Sequence, residues 1–447
     1  SFLKNNWIIA NVYLTQTNFW LRLKINMAYA ILIKIYELSY INIIREDLFM
    51  KKKLLSILLS TAMTAALLAG CGSSAATEEA AATEEAATEE TATEEEAAPA
   101  EDTADETEST ETASEPSEDG YELALVTDLG TIDDKSFNQG AWEGLKQYAE
   151  ENSISYKYYQ PQEGTTDSYV ETIGLAVEGG AKLVVCPGYL FEEPVYIVQD
   201  EYPDVHFILL DGEPHNADYS EYKTGDNVMP ILFQEDEAGF LAGYAAVKDG
   251  YTKLGFMGGM AVPAVIRYGY GYVQGADTAA AEDGVDVEIM YNYTGAFAAT
   301  PEAQAMAASW YQNGTEVIFG CGGAVGNSVM AAAEEAGTKV IGVDVDQSSE
   351  SDTVITSAMK QLSVSVYDGI KAYYDGTFPG GETSVFSAAN DGVGLPMESS
   401  KFENFTQDDY DALYEKLVNG DFSINNSTED STTADLTLTN TTVTFVE

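Results

Sequence analysis

Leu123-Ala124-Leu125-Val126-Thr127-Asp128 is a short apolar run that closes on an acid, and the wording returns near the far end of the chain as Val340-Ile341-Gly342-Val343-Asp344. Runs this short, without polar alternation, read as strands covered on both faces. Others follow the first: Lys182-Leu183-Val184-Val185, His206 to Leu210, Lys253 to Met257, Val285 to Met290 and Val317-Ile318-Phe319. Between them lie segments of helical pattern at Phe137 to Glu151, Val195 to Glu201, Phe240 to Lys248, Tyr272 to Asp283, Pro301 to Gln312 and Val325 to Ala336. Strands alternating with helices imply parallel sheets, and the series restarts after Lys248. Tyr121 to Glu447 is about twice an ordinary domain length. The expected class is therefore α/β, as two doubly wound parallel-sheet lobes joined by a hinge.

Open sheets of this kind bind ligands beyond the carboxyl ends of their strands. Asp128, Asp211, Cys321-Gly322-Gly323 and Asp344 occupy those positions. An aspartate after a strand also serves as a helix N-cap or an Asx turn. Four such positions on two matching series favour one cleft between the lobes.

Upstream, Met50-Lys51-Lys52-Lys53, the apolar run Leu54 to Leu68 and the small residues Ala69-Gly70 before Cys71 have the form of an export signal. The cysteine at the cut resembles a bacterial lipobox, which makes Cys71 the lipidated first residue of the mature protein. Residues 71–120 repeat Ala, Thr and Glu, and from Gly72 on they carry no Lys, Arg or aromatic residue. Such a segment buries too little apolar surface to fold and repels itself, so a disordered acidic tether is expected. Residues 1–49 precede the signal and begin at Ser1. Met50 is read as the start, with Met27 as the alternative, and 1–49 as an upstream translation artefact. The apolar stretch Met27 to Ile44 holds Lys34 and Glu37 near its middle, which argues against a membrane span. The expected organisation is a signal peptide at 50–70, the tether at 71–120, lobe 1 from 121–234 plus 361–390, and lobe 2 from 235–360 plus 391–447.

The formal net charge of −53 excludes a general nucleic-acid binder, since phosphate neutralisation needs Lys and Arg. Cys186 and Cys321 close apolar runs and read as buried strand ends, and whether they pair is open. The two histidines, His206 in a strand and His215 alone in a loop, give no metal site. Gly269-Tyr270-Gly271-Tyr272-Val273-Gln274-Gly275 has the wrong spacing for a dinucleotide loop and no P-loop lysine follows, so a neutral ligand is favoured over a nucleotide. No nucleophile elbow or metalloprotease motif occurs, and Asp133-Asp134 reads as a capped, solvated turn. No cofactor and no enzymatic activity are expected.

Ala124 to Asp128, Ile132-Asp133-Asp134-Lys135-Ser136-Phe137-Asn138-Gln139 and Trp142-Glu143-Gly144 resemble the opening signature of the basic membrane protein family, lipid-anchored substrate-binding proteins of ABC transporters. The likeness continues through Tyr202 to Phe207, Glu237 to Gly243, Phe256 to Gly259, Val340 to Gln347 and Ser357 to Lys360. It implies a fold like the type I periplasmic binding proteins, a purine nucleoside ligand, ABC permease subunits as partners, a monomer held at the extracytoplasmic membrane face by Cys71, and closure about crossings near 234 and 360. It also implies residue roles. Phe137 and Phe297 sandwich a base, Asp128, Asp211 and Asn138 bond its edge, Asp344 and Lys360 take the ribose, and Gly322 and Gly323 let backbone approach the sugar.

Core packing is the other use of a phenylalanine, and Lys360 could equally be a surface lysine. Gly295-Ala296-Phe297-Ala298-Ala299 departs from the usual Ser-Phe-Asn/Asp wording and offers Phe297 no polar neighbour. The segment from Asp346 to Lys360 reads as short, which leaves Asp344 or Asp346 as the ribose contact. Two other readings of the architecture are a sugar receptor and a surface protein that senses or hydrolyses nucleosides.

Overall fold

The computed structural model describes residues 113, 114, 116, 117 and 120–446. The signal at 50–70, Cys71, the segment 1–49 and most of the tether lie outside the described residues.

Chain order begins with β1 (Leu123–Val126), α1 (Phe137–Asn152), β2 (Tyr156–Tyr159), α2 (Thr166–Glu178), β3 (Leu183–Pro187), α3 (Glu192–Glu201), β4 (His206–Leu210) and β5 (Val228–Phe233). It continues with α4 (Glu235–Lys248), β6 (Lys253–Gly258), α5 (Pro263–Asp283), β7 (Val287–Tyr293), α6 (Pro301–Gln312), β8 (Val317–Cys321), α7 (Val325–Ala336), β9 (Lys339–Asp344) and β10 (Val354–Lys360). The last elements are α8 (Leu362–Tyr374), β11 (Ser384–Phe386), β12 (Val393–Gly394), α9 (Gln407–Val418) and β13 (Thr441–Phe445).

Two sheets form, ordered β11-β5-β4-β3-β1-β2 and β12-β10-β9-β8-β6-β7-β13. All neighbouring strands are parallel except β10 and β12. The inner orders β2-β1-β3-β4-β5 and β7-β6-β8-β9-β10 are the same doubly wound pattern twice. Each reverses direction beside its first strand, and that is where such sheets open a crevice. The apolar runs are explained by burial on both faces. Leu123 and Leu125 pack with Trp142 and Leu145 of α1, while Ala124 and Val126 pack with Tyr169 and Ile173 of α2. In the second sheet Phe256 and Phe319 face α5, whereas Met257 and Ile318 face Trp310 of α6 and Val329 of α7.

The chain passes between the sheets at three places. β5 runs into α4 through Gln234, β10 runs into α8 through Gln361, and residues 387–392 join β11 to β12. Gln234 N donates to Phe386 O at 2.9 Å and Gln361 N to Gly392 O at 3.0 Å, so the return segment is bonded to both of the other crossings.

Several expectations need correction. α5 begins at Pro263 rather than Tyr272, and α4 at Glu235 rather than Phe240, because the glycines that interrupt their periodicity are packing positions. A Cβ on Gly239, Gly243, Gly271 or Gly275 would lie 2.0–2.2 Å from a carbonyl oxygen of the opposite helix. Gly269 to Gly275 is thus helix interior. The segment before Tyr121 is not wholly detached, since Ala113 forms an antiparallel bridge to Lys157 and Ser114 N donates to Tyr156 O at 3.0 Å. His215 is not alone: it is buried, 3.1 Å from Glu192 Oε2, and its ring stacks on Tyr219 at 4.0 Å. Cys186 and Cys321 are buried free thiols in different sheets. No helix among the described residues is long and apolar enough to cross a membrane.

Candidate functional site

A cavity of about 580 Å³ opens between the carboxyl ends of the two sheets. Asp128, Phe137, Asn138, Asp211, Phe297, Gly323, Asp344 and Lys360, scattered through the sequence, all line it. Asp346 does not: it is exposed and accepts from Ser348 N at 3.0 Å and Ser399 Oγ at 2.6 Å.

The first-lobe wall starts with Asp134, which is buried rather than solvated. Its carboxylate accepts from the backbone N–H groups of Ser136, Asn138 and Gln139 and so caps α1. Burial nevertheless pushes it up to about 6, against those three hydrogen bonds. The capped first turn presents Phe137 and Asn138 to the cavity. Asn138 Nδ2 donates to Asp128 Oδ1 at 2.8 Å, and the same oxygen accepts from Gly130 N at 2.7 Å. An acceptor-only carboxylate fixes which way the Asn138 amide points. Its Oδ1 is left buried with no partner.

Asp211 directly follows β4 and Asp344 ends β9, both in the left-handed region, at φ 58° and 66°. Aspartate tolerates that conformation better than most residues, and such positions cluster at functional sites. Asp344 Oδ2 accepts from Ser136 Oγ at 2.5 Å across the cleft, and burial raises its carboxyl above the usual range. Asp211 Oδ2 lies 2.5 Å from Lys360 Nζ, while Asp211 Oδ1 is a second buried acceptor without a partner. Burial pushes the Asp211 carboxyl to about 7, with Lys360 pulling the other way.

Lys360 is buried and is no surface lysine. Its ammonium also lies 3.0 Å from Glu235 Oε1 and 4.9 Å above the Phe137 ring. Burial lowers its pKa, but Asp211, Glu235 and Asp344 outweigh that and hold it fully charged. The structure thus brings Asp211 and Lys360 together, which the sequence had assigned to opposite ends of the ligand.

Phe297 hangs on the loop after β7, fixed by Ala324 N donating to its carbonyl at 2.8 Å. Gly322 and Gly323 have φ of 122° and 53°, and a Cβ on either would lie about 3 Å from Phe297 atoms (3.1 and 2.9 Å). Their glycine requirement therefore comes from seating Phe297, in addition to any approach to a sugar.

Sequence reasoning missed Glu235 and Arg267, which complete the buried charge cluster with Arg267 Nε 2.5 Å from Glu235 Oε2. Arg267 is the only arginine after Arg45, and Glu235-Asp236-Glu237 opens an otherwise apolar helix. Those were the available signals. Tyr268, also missed, lines the cavity and donates to Ala358 O at 3.2 Å. No group of metal-ligating side chains occurs among the described residues. The lining carries five carboxyl groups, Asp128, Asp133, Asp134, Asp211 and Asp344, against the single ammonium of Lys360.

Residues 121–428 match the family described as ABC transporter substrate-binding protein PnrA-like. Among curated proteins the chain is similar to the ABC transporter nucleoside-binding protein BmpA of Lactococcus lactis, with 30% identity over 305 residues, covering 63% of this chain and 83% of that protein. It is also similar to basic membrane protein D of Borreliella burgdorferi, with 29% identity over 303 residues, covering 66% and 85%. Among solved structures, an ABC transporter solute-binding protein from Aeropyrum pernix superposes with a TM-score of 0.61 at 24% identity, covering 69% of this chain and 94% of that one. One from Conexibacter woesei gives 0.55 at 24%, covering 68% and 99%. At that identity the two structures speak for the fold alone.

Proposed function

We propose that this chain, which belongs to the family of PnrA-like ABC transporter substrate-binding proteins, captures a purine nucleoside between its lobes and hands it to the transporter. Membership implies a bound ligand, permease subunits that receive it and a place of work outside the cytoplasm. The nucleoside, the anchor at Cys71 and the monomeric state are the further steps.

The observation that carries the nucleoside is the pair of unfilled buried acceptors, Asn138 Oδ1 and Asp211 Oδ1, on residues that line the same cavity as Phe137. Buried acceptors call for donors, which the N–H edge of a purine supplies. A ring stacked on an aromatic side chain contributes about 1–3 kcal/mol. On the second-lobe wall, the Asp344 carboxylate lines the cavity and suits the hydroxyls of a ribose. Five carboxyl groups around one ammonium disfavour a phosphate, so a nucleoside suits the lining better than a nucleotide. The cavity volume falls within the range of small-molecule sites, roughly 300–1,000 Å³. The name of the Lactococcus relative points the same way.

This reading assigns a role to each residue. Phe137 and Phe297 hold the base, Asn138 and Asp211 accept from it, and Asp344 accepts from the sugar. Asp128 orients Asn138. Lys360 neutralises Asp211 and Glu235 at the crossing, so its service to the ligand is to hold Asp211 in place. Binding drives closure of the cleft about the crossings, and no bond is made or broken. The reading needs neither cofactor nor metal.

The test is a thermal-shift and calorimetric panel of inosine, guanosine, adenosine, free bases and monosaccharides. A ligand at 100 times its Kd stabilises by about 2.7 kcal/mol. Nucleosides should raise the melting point and remain chemically unchanged after incubation. A shift with a monosaccharide alone would transfer the reading to a sugar receptor, and release of free base would make the protein a hydrolase. Cys71→Ser should move the protein from the membrane fraction to the soluble fraction.

A further inference from the structure

Two side-chain hydrogen bonds cross from one lobe to the other at the edge of the ligand cavity. Ser136 Oγ, just before α1, donates to Asp344 Oδ2 at 2.5 Å. Gln347, in the loop after β9, donates from Nε2 to the backbone oxygen of Lys135 at 2.6 Å. Neither Ser136 nor Gln347 lines the cavity. We infer that Gln347, helped by Ser136, is a clasp that holds the cleft shut and so sets how long a ligand stays.

Gln347 is built for this task. It is 1% exposed, far below what a glutamine usually shows. Its Oε1 accepts from Val343 N at 3.0 Å and its backbone N donates to Ser357 Oγ at 3.1 Å, which ties the residue to β9 and β10 of its own lobe. Because a backbone N–H only donates, Oε1 must face Val343, and Nε2 is committed to the other lobe. Gly342 makes room, since a Cβ there would sit 2.6 Å from Oε1. The receiving carbonyl belongs to Lys135, held at φ 61° in the turn that launches Phe137 and Asn138. Lys135 Nζ adds a longer pairing with Glu350 at 3.8 Å.

The clasp therefore joins the turn carrying two cavity residues of lobe 1 to the strand end carrying Asp344 of lobe 2. Opening the cleft breaks both bonds and leaves buried groups to find water. Closing it remakes them, and the Gln347–Lys135 bond involves no residue that lines the cavity. Their free energy goes to the closed state as a whole, so it lengthens residence rather than choosing the ligand.

The test uses Gln347→Glu and Ser136→Ala in the full chain at pH 8, chosen to favour the ionised form of the new carboxyl. Gln347→Glu keeps the acceptor toward Val343 N–H and sets an oxygen against the Lys135 carbonyl, so it breaks only the bond between lobes. In stopped-flow measurements with inosine, its dissociation rate should rise tenfold or more, and that of Ser136→Ala roughly five- to tenfold, as expected for one lost hydrogen bond. Association should change less than twofold, and circular dichroism should show both ligand-free variants still folded. If Gln347 merely props its own lobe, Gln347→Glu will release inosine as slowly as the parent, and the clasp is overturned. Hydrogen exchange of ligand-free protein supplies an arm that does not depend on the nucleoside. Amides of residues 134–139 should exchange faster in both variants, and unchanged exchange overturns the clasp. Failure of the parent to bind inosine would count against the nucleoside reading, with exchange then deciding the clasp.

Discussion

Lys360 Nζ and Asp211 Oδ2 lie 2.5 Å apart, in an environment that leaves about 2% of the lysine and 9% of the aspartate exposed. The pair joins β10 at a crossing to β4 of the first lobe, and Glu235 at the start of α4 extends it to Arg267 on α5. A cavity-lining carboxylate is thus wired directly into the crossing between the lobes. Asp211 has one oxygen for Lys360 and one for the cavity, so its position is fixed before any ligand arrives.

Removing one partner of a buried ion pair leaves the other charge unpaired, at about 3–5 kcal/mol. Lys360→Met keeps the length of the side chain and strands Asp211, while Glu235 keeps only Arg267. Urea denaturation of this variant should show a loss of that order, together with loss of inosine binding. A stability within about 1 kcal/mol of the parent would mean that water already reaches the pair.

Buried carboxyl groups also set how stability follows pH. Burial pushes Asp211 and Asp236 to about 7 and Asp134 to about 6, whereas an unfolded carboxyl titrates near 4. Between those values the folded chain holds protons that the unfolded chain has released. The stability they contribute is complete below the unfolded pKa and is lost as pH rises through 6 and 7. Glu235 acts oppositely: Lys360 and Arg267 outweigh burial and lower its pKa, so its contribution is lost on acidification below the ordinary glutamate range. Urea midpoints should therefore fall from pH 5 to pH 8. Asp236 lies outside the cavity and its Oδ1 has no partner. Asp236→Asn should flatten the decline, and a curve parallel to the parent would sink the assignment.

Strands β1, β3, β4 and β6 to β9 and the cavity lining were legible because both rest on local pattern, whereas β2, β5, β10 and β13 and helices α2, α8 and α9 went unread. An apolar run followed by Asp marks a buried strand and its carboxyl end, and the crevice of a doubly wound sheet lies there whatever the side chains are. Asp128, Asp211 and Asp344 could be found that way, and Phe137, Phe297 and Lys360 only through resemblance. Partnerships were not legible. Nothing in the spacing of Lys360 and Asp211 says that they touch, because the contact depends on how one lobe is set against the other. Helix starts failed for a similar reason: Gly239 and Gly271 look like breakers until the facing helix is present. The small strands β11 and β12 are too short for periodicity to reveal.

Asp128 and Asn138 give a test of orientation. Asp128 Oδ1 is the acceptor that turns the Asn138 carboxamide, leaving Oδ1 of Asn138 buried without a partner. Asp128→Ala frees the amide to rotate and offer a donor instead. Inosine affinity should fall about 5–30-fold, the worth of one or two modest hydrogen bonds. The melting point of the ligand-free protein should change little, since Asp128 is only half-buried. An unchanged Kd in calorimetry would show that Asn138 is held by its helix alone.

The seam between α4 and α5 makes the strongest claim about stability. A Cβ on Gly243 would stand 2.0 Å from the carbonyl oxygen of Tyr272, a backbone atom that no rotamer change can move aside. The helices must separate to admit it. Both are buried along this line, and Tyr272 and Ala276 pack into the main core. Overpacking of this kind costs about 1–3 kcal/mol, against a gain of under 1 kcal/mol from replacing a helical glycine by alanine. Gly243→Ala should therefore destabilise, with a lower urea midpoint and an unchanged slope. Because α4 begins at the Gln234 crossing and carries Glu235 in its first turn, the shift should also reach Lys360 and weaken inosine binding. Gly284→Ala offers a contrast, since a Cβ there meets nothing within 4 Å and only its φ of 66° resists the change. It should lose a smaller amount of stability and leave affinity intact. Equal losses at both sites would show that the close approach of α4 and α5 is not what makes Gly243 necessary.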